Sequence, residues 1–230
     1  MISKTVGRLS IVDGFLSQQV RTALLSNLLS RESEFTTAKV TSVPRMRPIH
    51  DCEIRSSRVI SAPGPALRSV FVPHLKGFLR RPAQARVQAI EVQLTASGDG
   101  DFYGRHSDRG PRAHARRTLT FVYFLHTLPR KFTGGVLRVE APRGALSPGP
   151  ESRVAGRRHP EEIRIDPEDN RLVLFPSEWL HEILPVQVPS RDFRDSRFTV
   201  NGWIHLARSE ADCEPALISR STAQPGLAES

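Results

Sequence analysis

The sequence predicts a mainly β chain with N-terminal helices, an α+β arrangement whose core is a jelly-roll barrel. From residue 87 onward the apolar segments are short, rich in β-branched and aromatic residues, and separated by Gly, Pro and Asp clusters. Eight such segments occur, enough to close or bury the edges of a barrel without crossover helices. The two segments with a helical period both precede residue 87.

Leu9 to Val12 reads as a short strand, after which Ser17 is placed to cap a helix running to about Arg31, with Val20, Leu24 and Leu28 on one face. Between Val43 and Pro65, Pro44, Pro48, Pro63 and Pro65 forbid a long element, which leaves an ordered loop with one strand near Arg58 to Ser61. A second helix is expected over Ala66 to Arg80, with Leu67, Val70, Phe71, Leu75, Phe78 and Leu79 on its apolar side. The barrel strands are expected near Val87 to Ala96, Gly100 to Arg105, Arg117 to His126, Gly135 to Glu140, Glu162 to Ile165, Leu172 to Phe175, His181 to Val188 and Arg197 to Leu206. The Arg-, Pro- and Gly-rich run from Ala141 to Pro160 reads as a solvated basic connector rather than a lid over substrate. One domain over 1–230 follows, with N-terminal support over 1–86, a catalytic barrel over 87–207 and a tail over 208–230.

Composition narrows the function classes. A hydrophobic share of 38% with 25% charged residues belongs to a soluble globular protein. The net charge of +9 invites a nucleic-acid partner, but the positive residues are nearly all arginine and are scattered along the chain. A general bias toward Arg, Ala, Pro and Gly produces the same balance, so the charge does not call for nucleic acid. No stretch approaches the roughly 18 consecutive apolar residues that span a bilayer. The start, MISKTVGRLSIVDGF, lacks a signal-peptide apolar region, so the expectation is a cytoplasmic protein with no membrane partner. Cys52 and Cys213 fit neither a disulfide framework nor a CxxC site and read as reduced.

The chemistry resides in an ordered set of residues. Oxygenase iron is held by two imidazoles and one carboxylate on one face, with the remaining positions open. In GDFYGRHSDRG, His106 and Asp108 are one residue apart, so on an extended strand both project to the same side. Such a triplet arises readily by chance; the later residues give it weight. In NRLVLFPSEWLHEILPV, His181 opens an apolar strand after a Pro-Ser turn. In SRFTVNGWIHL, Arg197, Thr199, Asn201 and Trp203 alternate with Phe198, Val200, Gly202 and Ile204. A polar row inside a barrel is costly unless it binds something, and the fork of Arg197 matches a carboxylate.

These segments together resemble the prolyl-4-hydroxylase-like group of iron(II)/2-oxoglutarate oxygenases, which carry an HxD pair, a later His and a basic residue beyond it in this order. The resemblance runs from about Ile90 to Leu206 through VQLTASGDGDFYGRHSD, RRTLTFVYFLH, FTGGVLRV, NRLVLFPSEWLHEILPV and DSRFTVNGWIH, and includes the entry segment SIVDGFLSQQV. It implies a double-stranded β-helix, the cupin-like jelly roll, with His106, Asp108 and His181 as iron ligands and Arg197 holding the distal carboxylate of 2-oxoglutarate. It also implies Fe(II) as cofactor, 2-oxoglutarate and O2 as co-substrates, ascorbate as a reductant, and conversion of 2-oxoglutarate to succinate and CO2 as a C–H bond is hydroxylated.

Two positions depart from the group. Phe124 stands where a tyrosine often assists the distal carboxylate, leaving Thr120, Tyr123 or water to supply the hydroxyl. Val136 stands where an acidic residue is common. Tyr103, Arg105 and Trp203 are candidates for the substrate pocket because they neighbour ligand positions. The substrate reads as a peptide or a small molecule, and the oligomeric state is open. The competing classes are a natural-product or free amino acid tailoring oxygenase, a nucleic-acid-directed oxygenase, a metal hydrolase and a non-enzymatic binding barrel. The nucleic-acid enzymes carry a second arginine in an RxNxT-like run that RFTVNGW lacks, a metal hydrolase gives Arg197 no role, and retention of all four expected groups argues against a barrel that has lost its metal.

Overall fold

The computed structural model describes residues 2–6, 8–41, 48–49, 53–79, 87–110, 112–146 and 160–207. An N-terminal hairpin pairs β1 (Ile2–Val6) with β2 (Leu9–Asp13), and helix α1 (Gln18–Leu29) follows, its first turn capped by the Ser17 side chain accepting from Val20 N. Two short strands, β3 (Arg55–Ser56) and β4 (Arg58–Ile60), precede helix α2 (Pro65–Leu79), which starts on a proline because that position needs no backbone donor.

The barrel comprises β5 (Val87–Ser97), β6 (Phe102–His106), β7 (Leu119–Leu125), β8 (Leu137–Ala141), β9 (Glu161–Ile165), β10 (Arg171–Pro176), β11 (Leu180–Ile183) and β12 (Arg197–Leu206). Its pairing is nested and antiparallel. The first strand pairs with the last (β5 with β12), the second with the seventh (β6 with β11), the third with the sixth (β7 with β10), and the fourth with the fifth (β8 with β9). That winding is the jelly roll the strand count predicts. The larger, eight-stranded sheet runs β1, β2, β10, β7, β12, β5, β4 and a short edge strand at Thr36–Thr37. The smaller sheet of five runs β9, β8, β11, β6, β3.

Each face of the larger sheet is buried against a different partner. One packs on α1 and α2, where Leu24, Leu28, Phe71 and Leu75 meet Phe121, Tyr123, Leu125 and Val200. The other faces the smaller sheet, where Val122, Phe124, Val173 and Phe175 meet Leu137, Val139, Ala141 and Trp179. Strand β7 shows how alternation assigns sides: its odd positions go to the helices and its even positions to the barrel interior. α1 is locked to the sheet by Arg21, whose Nε and Nη2 each donate to Asp169 at 2.9 Å.

Three expected elements shift for local reasons. The expected strand from His181 to Val188 breaks into Leu180–Ile183 and Val186–Gln187, because Pro185 has no N–H to give a ladder. The strand expected from Gly100 starts at Phe102, since Gly100 (φ +80°) completes a turn in which Asp101 N donates to Gly98 O. The loop before α2 holds β3 as well as β4, and β3 pairs with β6 beside Tyr103. Residues 147–159 and 208–230, with Cys52 and Cys213, lie outside the described residues. Among the described residues no helix is long and apolar enough to cross a membrane.

Candidate metal centre

His106 ends β6, Asp108 follows two residues later, and His181 lies directly across the ladder from His106 on β11. One ligand-type atom from each of the three falls within 4.8 Å of the others. The backbone sets the tautomers: His106 Nδ1 lies 2.8 Å from Gly104 O and His181 Nδ1 lies 3.0 Å from Trp179 O. A carbonyl accepts, so each Nδ1 carries a proton and each ring, when neutral, keeps its Nε2 lone pair for a metal. His106 Nε2 is 3.7 Å from Asp108 Oδ1, and His181 Nε2 is 3.2 Å from Asp108 Oδ2.

Electrostatics suit a cation here. Burial pushes the Asp108 carboxyl up, but the His181 charge and the close approach of both imidazoles hold it well below the usual carboxylate range. Burial and the neighbouring His181 push the His106 imidazole down. Burial also opposes a charged His181, yet Asp108 raises it above its ordinary value. A carboxylate that stays ionised between two imidazoles presents the full three-ligand set before any cation arrives.

Arg197, the first residue of β12, is only 2% exposed. Among the described residues its Nε and Nη2 have no hydrogen-bond partner, and its guanidinium lies over the Phe124 ring at 4.9 Å. Burial alone pushes the guanidinium down to about 9, so it remains charged at neutral pH with its desolvation cost unmet. Gly135 makes the space. At φ +66° it presents no side chain, and a Cβ there would lie 2.5 Å from Arg197 Cδ. Gly135→Ala should therefore displace Arg197 and add about 1–2 kcal/mol of left-handed strain. The expected result is a lower melting temperature and weaker 2-oxoglutarate binding by calorimetry.

The remaining predicted residues separate. Thr120 sits at the metal end of the barrel, not beside Arg197: its Oγ1 donates to Asp108 Oδ2 at 2.8 Å. Tyr123 falls on the helix side of β7 by alternation, where its ring meets Phe15 and Phe71 and its hydroxyl donates to Asn170 Oδ1. Neither hydroxyl therefore replaces the one that Phe124 lacks. Arg105 points outward and pairs with Glu140 through two hydrogen bonds of 2.6 and 2.7 Å, which removes it from the pocket. Tyr103 does reach the centre, its ring stacked on His106 at 3.6 Å beneath the Arg55 guanidinium at 4.5 Å. Trp203 lies under Arg117 at 3.4 Å, with its indole N–H unpartnered among the described residues.

Sequence reasoning missed Glu91, Arg117, His205 and Arg55. Arg117 donates twice to Glu91, and His205 Nε2 adds a third contact to that carboxylate at 2.7 Å. The signal was available: Glu91, Gln93 and Thr95 alternate with Val92 and Leu94 on β5 and stand opposite Trp203, Asn201 and Thr199.

Comparison with known proteins bears on this arrangement. The family model described as the 2OG-Fe(II) oxygenase superfamily matches residues 92–205, the span that contains all four central residues. Over that span the chain is similar to the superfamily. It is 31% identical over 199 residues to an uncharacterized PKHD-type hydroxylase of Synechocystis, covering 84% of this chain and 61% of the relative. It is 25% identical to a PKHD-type hydroxylase of Hyphomonas neptunium, covering 95% of this chain and 87% of the relative. The fold is shared with a Trichoplax adhaerens prolyl hydroxylase in complex with a hypoxia inducible factor peptide fragment (TM-score 0.60, 18% identity, 86% of this chain and 84% of that one). It is also shared with a Pseudomonas putida prolyl-4-hydroxylase (TM-score 0.56, 22% identity, 89% of this chain and 95% of that one).

The description of that superfamily names Fe(II) and 2-oxoglutarate. The chain's residues fit both. Two Nε2 lone pairs and an ionised carboxylate converge as an N2O donor set suited to Fe(II), and an uncompensated buried guanidinium suits a carboxylate.

Proposed function

We propose that the chain is an Fe(II)- and 2-oxoglutarate-dependent dioxygenase that hydroxylates an unactivated C–H bond in the manner of a prolyl hydroxylase. In this reading His106, Asp108 and His181 hold the iron, and Arg197 holds the distal carboxylate of 2-oxoglutarate. One observation carries it: three convergent ligand-type side chains and a buried arginine with unpartnered nitrogens line a single barrel.

When bound, iron with 2-oxoglutarate and O2 supplies a two-electron oxidant, and the co-substrate leaves as succinate and CO2. The chain orients and shields that chemistry. Gly104 O and Trp179 O hold the protons on Nδ1 and so keep Nε2 of each imidazole open to the metal. Tyr103, stacked on His106, restricts rotation of that ring. Arg197 would offer a carboxylate a paired donor fork at the far end of β7 from Thr120 and the metal ligands. The Phe124 face keeps water from the guanidinium while leaving its nitrogens free.

Tyr103 and Trp203 form the substrate mouth in this reading, with Arg117 and Arg55 beside them. A peptidyl substrate is favoured over a free amino acid because the curated relatives are named PKHD-type hydroxylases and a neighbour of the same fold was captured with a peptide. Purified protein given Fe(II), ascorbate and 2-oxoglutarate is expected to form succinate, faster once a proline-containing peptide is added, with the peptide gaining one oxygen by mass. Calorimetry with no iron-dependent binding of 2-oxoglutarate would overturn the chemistry. Oxygen gained by free amino acids but by no peptide would overturn the substrate.

A further inference from the structure

We propose that Thr120 is a positioning residue for the metal centre: its hydroxyl, braced by Ser177, fixes the rotation of the Asp108 carboxylate. The proposal rests on the reading of His106, Asp108 and His181 as the iron site.

An aspartate carboxylate turns easily, because its terminal torsion is broad and roughly two-fold. Left alone, Asp108 presents either oxygen, or both, to whatever lies between the imidazoles. Thr120 Oγ1 removes that freedom by donating to Oδ2 at 2.8 Å, while Oδ1 is turned toward His106 Nε2 at 3.7 Å. The hydroxyl has little other purpose. Thr120 is 3% exposed on the inward face of β7, where the next two inward positions are Val122 and Phe124. A valine would fill the same volume.

Ser177 completes the device. Fully buried, it places Oγ 3.0 Å from Thr120 Oγ1. Thr120 has one proton to give, and the ionised carboxylate is the stronger acceptor, so that proton goes to Asp108, with Ser177 Oγ as a second, weaker acceptor that keeps the threonine hydroxyl turned toward this corner of the barrel. The Ser177 backbone also holds the ligand segment: its carbonyl accepts from Asp108 N at 3.0 Å and Arg109 N at 2.9 Å, and its own N–H donates to Thr118 O at 3.1 Å. Since His181 follows four residues later, Ser177 ties the carboxylate ligand to the segment that delivers the second imidazole.

The test is anaerobic titration of the apoprotein with Co(II) and with Fe(II), read by calorimetry and by the Co(II) visible absorption. Wild type, Thr120→Val, Thr120→Ser, Ser177→Ala and Asp108→Ala are compared, with the metal-free melting temperature of each. Thr120→Val is expected to weaken metal binding roughly ten- to a hundred-fold, in the range seen when partners of ligands are lost, and to alter the Co(II) spectrum. Thr120→Ser should stay within about three-fold of wild type, and Ser177→Ala should fall between the two. Thr120→Val binding like wild type while Asp108→Ala loses the metal would overturn the role of Thr120 alone. So would Thr120→Ser losing as much as Thr120→Val, since packing and not the hydroxyl would then be responsible. Asp108→Ala binding metal like wild type would overturn the iron-site reading beneath it.

Discussion

Replacing Arg197 with methionine is expected to abolish useful 2-oxoglutarate binding while raising the stability of the protein without ligands. In the free protein the arginine is a buried cation whose Nε and Nη2 find no acceptor among the described residues, and burial alone accounts for its lowered proton affinity. Such a group costs stability until a carboxylate arrives. Methionine fills much of the volume without the charge, so the apo melting temperature should rise. Truncating one side of a buried charge pair costs about 3 kcal/mol or more, roughly a hundred-fold in affinity, so KM for 2-oxoglutarate should climb by at least that factor. Arg197→Lys keeps the charge but loses the planar fork and should fall between. Calorimetry and thermal melts with and without 2-oxoglutarate measure both halves. Wild-type stability should rise with ligand concentration by mass action, and the methionine variant's should not. A variant that is destabilised without ligand would mean that Arg197 has a structural partner.

The fold and the central residues were legible because each depends on a short-range rule. Alternation over Arg197 to Trp203 marks a polar inner face, the one-residue gap in HxD puts two ligands on one side, and turn residues separate eight strands. What was not legible depends on which strands meet and where a strand bends. The ladder between β6 and β11 shifts register between His181 and Ile183, so Tyr103, three residues before His106, stacks on the ligand while Arg105 points out to Glu140. Regular alternation would put Tyr103 and Arg105 on one face. Thr120 and Tyr123 were both offered for one hydroxyl, yet an odd spacing on a strand places them on opposite faces. The Glu91, Arg117 and His205 group joins β5, the segment before β7 and the end of β12, a meeting only the nested winding produces.

His181→Ala should be the most damaging single change, because it removes an imidazole and leaves Asp108 buried without its strongest counter-charge. Loss of a ligand should weaken metal binding by more than the roughly hundred-fold ceiling typical of losing a ligand's partner, and succinate formation should fall to background. Proton linkage supplies a second signature. Asp108 raises the His181 pKa above 6.5 in the metal-free protein, so that pair's stability is fully present below the unfolded value and is lost as pH rises through the folded one. Metal affinity moves the other way. Binding needs the Nε2 lone pair, so a proton must leave His181 first, and affinity should fall as pH drops through that raised value. The wild-type centre should therefore exchange a proton-held pair for a metal-held one as pH rises. Metal titrations across this range should show proton release in the wild type, less of it in His181→Ala, and least in a variant that also carries His106→Ala. A pH-independent metal affinity in the wild type would contradict the assignment of His181 as a ligand, because a cation held by His181 Nε2 must compete with the proton that Asp108 holds there.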